Sequence, residues 1–306
     1  VTVGNADGCT TGDTVIITVN PLPTIVLTND TAICMNDTAV LMASGANTYL
    51  WNTGDTDSVI RVVPLVTTKY WVIGEDIFGC IGVDTVEVTV KSLPVVTASN
   101  DTTVCSRDTL ILYASGGHTY SWNTGSTNDT IGIRPIVTNV YVVTVKDTLT
   151  NCFAEHSITV NVNSLPLADA GKDTAICQYD TIQLIGSGGL SYRWSPSTGL
   201  SNDTIFNPLA YPGDTTMYIL TVTDVNGCSN VDTMMLYYYP LTYVYAGKDT
   251  TICYGDTITL HGDGWAGSSY LWSTGDFKKD IDVSPFVTTT FILTVQDTNK
   301  CSNADH

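Results

Sequence analysis

The sequence predicts an all-β protein, a tandem array of small β-sandwiches. Three observations predict it: evenly spaced cysteines, aromatic and turn motifs that recur with them, and period-two alternation between turn signals.

The nine cysteines are Cys9, Cys34, Cys80, Cys105, Cys152, Cys177, Cys228, Cys253 and Cys301. The intervals 9–34, 80–105, 152–177 and 228–253 are each 25 residues, and the intervals between them are 46, 47, 51 and 48. One period is therefore 71 to 76 residues and carries two cysteines.

The rest of each period keeps the same order. A Thr-x-x-Cys entry recurs at Thr31–Cys34, Thr102–Cys105, Thr174–Cys177 and Thr250–Cys253. Tyr-x-Trp follows at Tyr49/Trp51, Tyr120/Trp122, Tyr192/Trp194 and Tyr270/Trp272. Then come a turn glycine (Gly54, Gly125, Gly199, Gly275) and a proline (Pro64, Pro135, Pro208, Pro285). An aromatic next opens an alternating run (Tyr70, Tyr141, Tyr218, Phe291), which ends in a turn before the second cysteine. Runs such as Tyr141-Val142-Val143-Thr144-Val145 and Val86-Glu87-Val88-Thr89-Val90 alternate as half-buried strands do. Short strands with turn signals every eight to twelve residues indicate sandwiches of about seven strands.

The predicted organisation is a terminal hairpin or last strand of a preceding repeat at 1–20, then repeats at 21–91, 92–163, 164–240 and 241–306. The last repeat stops before its own closing strand. The chain thus reads as a window on a longer polypeptide, with a spare strand at Asp13–Val19. Short proline-bearing linkers, Pro21-Leu22-Pro23, Ser92-Leu93-Pro94, Ser164-Leu165-Pro166 and Pro240, favour a stiff, elongated rod. Each repeat should be roughly 35–45 Å long at the rise of a β-strand.

Composition agrees. Few Glu and Lys and many Thr, Val, Asn and Gly disfavour helices and favour strands joined by tight turns. The formal net charge of −18 repels nucleic acid and anionic lipid, so neither is an expected partner. No apolar run is long enough to be inserted in a membrane as a helix.

The run Ile-Cys-x-x-Asp-Thr, then Tyr-x-Trp-x-x-Gly, then Thr-Thr-Thr-Phe-x-Leu-Thr-Val-x-Asp, then Gly-Cys or Lys-Cys resembles the PKD-like and Ig-like repeats of Bacteroidota secreted surface proteins, including gliding-motility-type adhesins. The resemblance covers nearly the whole chain. It implies Ig-like sandwiches, an extracellular or cell-surface location and export by the type IX route. It does not fix a biochemical role, because such repeats serve as spacers, stalks, adhesins and fibre subunits.

The cysteines form no C-x-x-C or Cys/His cluster, so disulfides of an oxidising compartment are the expected chemistry, and no metal site is expected. Because each period brings its own pair, the favoured pairing is Cys34–Cys80, Cys105–Cys152, Cys177–Cys228 and Cys253–Cys301, with Cys9 left to a preceding unit. Each such loop is worth about 4 kcal/mol in the chain-entropy picture. In a simple Ig strand order, however, the two cysteines of one repeat stand at opposite poles. A bridge to the abutting neighbour, such as Cys34–Cys152, is the alternative.

Asp followed by Thr or Ser and then a small or aliphatic residue occurs at Thr14, Thr31, Thr38, Ser58, Thr85, Thr102, Thr109, Thr130, Thr148, Thr174, Thr181, Thr204, Thr215, Thr233, Thr250 and Thr257. The pattern resembles the general O-glycosylation motif of Bacteroidota. Its structural reading is a turn-closing Asp and a strand-opening Thr, multiplied by the repeat. The repeating Trp residues read as core, whereas Trp71 and Trp265 do not repeat and are free to contact a ligand such as a glycan. Acidic loops leave calcium open as a ligand, although no EF-hand or RTX pattern is present; no other cofactor is expected. The run containing Tyr237, Tyr238, Tyr239, Tyr243 and Tyr245 reads either as packing across a linker or as a lateral interface.

The four histidines occupy non-equivalent positions and no nucleophile or zincin motif is present, so no enzyme activity is expected within these residues. The function expected is the structural repeat region of a secreted filament or cell-surface stalk. Its partners would be adjoining repeats or other copies of the chain, joined head to tail by strand donation. The alternatives are an adhesin or carbohydrate-binding module, and accessory repeats of a larger secreted enzyme.

Overall fold

The computed structural model describes residues 1–306 and contains strands and turns but no α-helix. No helix is long and apolar enough to cross a membrane. Two compact units, Val1–Asn161 and Val162–His306, each hold two separate hydrophobic cores.

The first sandwich shows the plan. One sheet has Val26–Leu27, Ala39–Ser44 and Val59–Val62 in that order. The facing sheet has Thr31–Cys34, Ile81–Lys91, Thr68–Glu75 and Thr48–Trp51 in that order. All pairings are antiparallel except one: Thr31–Cys34 runs parallel to the closing strand Ile81–Lys91, with Thr31 opposite Val88 and Cys34 opposite Lys91. Alternation places the core. Ala39, Leu41 and Ala43 are buried, while Val40 and Met42 between them are exposed. Val72, Val86 and Val88 meet them from the other sheet.

Sandwich two repeats both sheets, with the closing strand Phe153–Asn163 between Thr102–Cys105 and Asn139–Lys146. Sandwich three keeps the four-stranded sheet, with the closing strand Ser229–Tyr239 parallel to Thr174–Cys177. Its other sheet is reduced to Ile182–Gln183 with Leu209–Ala210. This strand order, with its parallel edge beside the closing strand, is an Ig-like β-sandwich repeat array.

The Tyr-x-Trp motif has a packing reason. Trp51, Trp122, Trp194 and Trp272 are each at most 2% exposed. Their indole N–H groups donate to the carbonyls of Asp57, Asn128, Ile205 and Lys278 at 2.8–3.1 Å, so the one polar atom of each buried ring is satisfied. The tyrosine two residues earlier reaches back: the hydroxyls of Tyr49, Tyr120 and Tyr192 donate to carbonyls three residues upstream at 2.8–3.1 Å. The turn glycines Gly54, Gly125, Gly199 and Gly275 all have φ between 74° and 90°, a region that L side chains rarely adopt.

The disulfides differ from the favoured sequence pairing. Cys34 bonds Cys152, with Cα atoms 5.7 Å apart, and Cys177 bonds Cys301, with Cα atoms 5.5 Å apart. Cys105 and Cys228 are disulfide-bonded as well. Cys9, Cys80 and Cys253 are free thiols, so Cys80 and Cys253 leave the set of expected bonded cysteines. Strand length is the reason. Cys34 lies opposite Lys91, at the end of the closing strand, whereas Cys80 immediately precedes that strand at Ile81. Eleven residues of strand separate those two points, on the order of 36 Å. A disulfide needs Cα atoms about 5.5–6 Å apart. Within each unit, Cys34 and Cys177, the first cysteines of sandwiches one and three, therefore meet the second cysteines of sandwiches two and four, the alternative allowed by the Ig order.

Candidate functional site

The closing strand finishes sandwiches one to three, and its contacts recur at fixed distances from the second cysteine. Six and eight residues after that cysteine stand Val86 and Val88, Ile158 and Val160, and Met234 and Leu236, all at most 3% exposed. Between them, the amides of Glu87, Thr159 and Met235 donate to the carboxylates of Asp30, Asp101 and Asp173 at 2.7–2.8 Å. Further along, the amides of Val90 and Tyr238 donate to the hydroxyls of Thr67 and Thr215, both at 3.1 Å.

Sandwich four has these acceptors but not the strand. Its closing strand is Ser302–Asp305 only, held to Leu293–Gln296. Thr250–Cys253 forms no strand there, unlike Thr31–Cys34, Thr102–Cys105 and Thr174–Cys177. The strand at Leu293–Gln296 has four residues, where Thr68–Glu75 has eight. Both losses are expected when the strand between them is missing, because each would have lost its hydrogen-bonding neighbour. A cleft of about 730 Å³ opens instead, lined by Ile258, Leu260, Trp272, Val283 and Phe291. Asp249 and Thr288, the counterparts of Asp30 and Thr67, also line it.

Near the start of the chain, Thr2–Gly4 and Thr10–Gly12 form a hairpin, with Thr2 opposite Gly12. Of Asp13–Val19, read from the sequence as a spare strand, Asp13 exchanges backbone hydrogen bonds with Val1 at 3.0 Å, and residues 14–19 belong to no strand. Val15, Ile16, Ile17 and Val19 are 80–87% exposed, an apolar run with no core of its own. Val15 and Ile17 lie six and eight residues after Cys9, the spacing of Val86 and Val88 after Cys80.

The other candidate residues are dispersed. Fourteen of the sixteen Asp-Thr/Ser hydroxyl residues are exposed; Thr102 and Thr174 are half-buried. Several of the preceding aspartates have structural work. Besides Asp30, Asp101 and Asp173, the carboxylates of Asp84 and Asp232 accept the amides of Leu27 and Ala170, and Asp37 and Asp256 accept those of Cys34 and Cys253. Sequence reasoning assigned these aspartates to turns only. Their long-range role shows in the constant offset of Asp30, Asp101, Asp173 and Asp249, each four residues before a cysteine.

Tyr237, Tyr238 and Tyr239 end the third closing strand opposite Ala175, Ile176 and Cys177. Tyr238 packs against the third core, while Tyr237, Tyr243 and Tyr245 are exposed. Trp71 and Trp265 are 41% and 46% exposed. No group of three or more His, Cys, Asp or Glu side chains converges as metal ligands would.

Few groups titrate abnormally. Asp147 is held below the usual carboxylate value, first by the amide of Leu149 at 2.8 Å and further by Thr150 and by His118, whose Nδ1 is 3.0 Å away. Asp263 is lowered and Lys279 raised, chiefly by their mutual hydrogen bond of 2.9 Å. Burial pushes up the phenols of Tyr70 and Tyr218, with Tyr211 adding to the second.

No protein-family profile matches the chain, and no curated protein does. Among solved structures, it is similar to the N-terminal eight Ig domains of Down syndrome cell adhesion molecule, at 14% identity and TM-score 0.35. That match covers 99% of this chain, which spans 56% of that one. It is also similar to the I67–I69 I-band fragment of titin, at 8% identity and TM-score 0.31 over 72% of this chain and 99% of that one. A third similar structure is the three N-terminal domains of the bacteriophage RB49 outer capsid protein Hoc, at 16% identity and TM-score 0.30 over 71% and 99% of the two chains.

Proposed function

We propose that this chain is a structural repeat segment of a secreted filament or cell-surface stalk, in which copies join head to tail by strand addition. The observation that carries the reading is the cleft of sandwich four, together with the matching register of residues 14–19. In that register Val15 and Ile17 of a second copy fill the positions of Val86 and Val88. Each buried aliphatic side chain contributes about 1.5–3 kcal/mol. Asp249 then accepts the amide of Ile16, and Thr288 that of Val19, as Asp30 and Thr67 do for Glu87 and Val90. Thr250–Cys253 gains a parallel partner, and the peptide groups left open on both sides of the cleft are paired. Disulfides between consecutive sandwiches fit an oxidising, extracellular setting and a chain that bears load along its length.

The test is electron microscopy and sedimentation of the purified chain Val1–His306 beside a form lacking residues 1–20. Polymers from the first and monomers from the second are expected. Unchanged polymers after the deletion sink strand addition. Monomers from both point to further residues of the same polypeptide as the occupant of the cleft.

Glycans on the fourteen exposed Asp-Thr/Ser sites would suit such a fibre by adding solvation and protease resistance. Mass spectrometry of native material should find them there, and modification confined to Thr102 and Thr174 would contradict this. The exposed Trp265 favours a second reading as a glycan-binding adhesin. Glycan-array binding that disappears in Trp265→Ala would support it.

A further inference from the structure

We propose that the chain is a tether that takes tension with little lengthening, because the bonds Cys34–Cys152 and Cys177–Cys301 route a pull around the bodies of the sandwiches. The inference concerns one chain under an axial pull and does not depend on how copies join.

Tension follows the shortest covalent route. In the first unit a pull travels down Thr31–Cys34, crosses to Cys152 and leaves along Phe153–Asn163. Cys34 and Cys152 are 118 residues apart in sequence, yet their Cα atoms are 5.7 Å apart. Drawn out, the stretch between them would span about 400 Å. The bond goes taut long before any of that stretch can be drawn. Residues 35–151 therefore hang on the route as a closed loop and feel no tension. They hold the rest of sandwich one and all of sandwich two before its closing strand. In the second unit the route runs down Thr174–Cys177, crosses to Cys301 and leaves along Ser302–Asp305. There 124 residues are bypassed by a bond whose Cα atoms are 5.5 Å apart.

The segments left on the route have little slack. Phe153–Asn163 is already a strand of eleven residues, and a strand at about 3.3 Å per residue is close to the limit of a drawn chain. It stays seated, because eight of its residues pair with Asn139–Lys146 and its Ile158 and Val160 are fully buried. Those pairings are not sheared, since Asn139–Lys146 lies in the closed loop. In sandwich one the pull leaves at Cys34 and never reaches Ile81–Lys91, the parallel partner of Thr31–Cys34. Without the bond, the pull would enter on one of those two strands, leave on the other and slide them apart.

Pairing within each sandwich would bypass less. Bonds Cys34–Cys80 and Cys105–Cys152 would keep residues 80–105 on the route, with the linker Ser92-Leu93-Pro94 among them. The observed bond spans that linker, beside the contact of Lys91 Nζ with the carbonyl of Thr150 at 3.2 Å. The bonds are also sheltered. Cys152 and Cys301 are fully buried, and exchange requires an attacking thiolate to reach a sulfur.

The test stretches the full chain between its two ends in an optical trap. Under oxidising conditions only residues 1–34, 152–177 and 301–306 can be drawn out, on the order of 220 Å in all. Wild type should reach that limit and stiffen. A reducing phosphine added under tension should then release a step of about 300–400 Å when the first of the two bonds breaks. Cys34→Ser/Cys152→Ser should show the added length without reductant. Trp122→Ala, a core change within the closed loop, should lower the melting temperature and leave the wild-type force curve unchanged. An oxidised wild type that lengthens in steps beyond the limit overturns the proposal. So does a reductant that adds no length. A force curve altered in Trp122→Ala overturns it as well, because the core of sandwich two would then lie under tension.

Discussion

Cys34 is bonded to Cys152, 118 residues away, and not to Cys80, which belongs to the same sandwich. The bond joins consecutive sandwiches within the first compact unit, where Lys91 Nζ also donates to the carbonyl of Thr150 at 3.2 Å. Closing a loop of that length restrains the unfolded chain by about 5 kcal/mol in the chain-entropy picture. Cys34→Ser should therefore lower the denaturant midpoint of the first unit markedly. Cys80→Ser should shift it by less than about 0.5 kcal/mol, as a substitution outside any bond does. Equal losses in guanidinium titrations of the two variants would refute the assignment.

Asp101 ties its strand to the closing strand by accepting the amide of Thr159 at 2.7 Å. Asp101→Ala leaves that amide without its acceptor, at a cost of about 1–3 kcal/mol. Asp101→Asn keeps a side-chain oxygen and should lose much less. Hydrogen exchange at Thr159 should accelerate in the alanine variant and stay near the wild-type rate in the asparagine variant.

Trp51 is 1% exposed and its indole N–H is bonded to the carbonyl of Asp57 at 2.8 Å. Trp51→Ala should cost about 3–5 kcal/mol, since it removes the largest side chain of the first core. The same change at Trp265, which is 46% exposed, should shift thermal unfolding little. A similar loss at both positions would contradict the assignment of Trp51 to the core.

Asp147 gives a pH dependence. Its folded pKa lies below the ordinary value of 3.8, first because of the amide of Leu149 and then through Thr150 and His118. A carboxylate with a depressed folded pKa binds protons more weakly when folded. Its contribution is thus complete above the unfolded value and is lost as pH falls through the lowered one. The melting-temperature difference between wild type and Asp147→Asn should be steady above pH ~4 and shrink on further acidification. A difference that widens below that pH would show the sign to be wrong.

Much of this architecture is legible in the sequence because it is local. Alternation in Ala39–Ser44 sets which side chains face the core, and Tyr49/Trp51 sets a tyrosine tied to a turn beside a buried indole. Those outcomes depend on a few neighbouring residues and repeat with them. The recurrence of Asp30, Asp101, Asp173 and Asp249 is visible too, but its meaning is not. Each of the first three carboxylates serves an amide 57 to 62 residues further on, and no local pattern names that partner.

By itself, the sequence determined the period, the all-β sandwiches, the tryptophan cores and the matching register of Val15 and Ile17 with Val86 and Val88. Tertiary structure alone decided which cysteines meet. A closing strand of eleven residues sends the two cysteines of one sandwich to opposite ends, and Cys34 and Cys177 bond to the second cysteine of the sandwich that follows. Asp249, Thr288 and Trp272 line a cleft in sandwich four, where the first three sandwiches hold the second half of the closing strand. Spacing along a chain fixes what recurs, but contact depends on how far a rigid strand carries its ends apart.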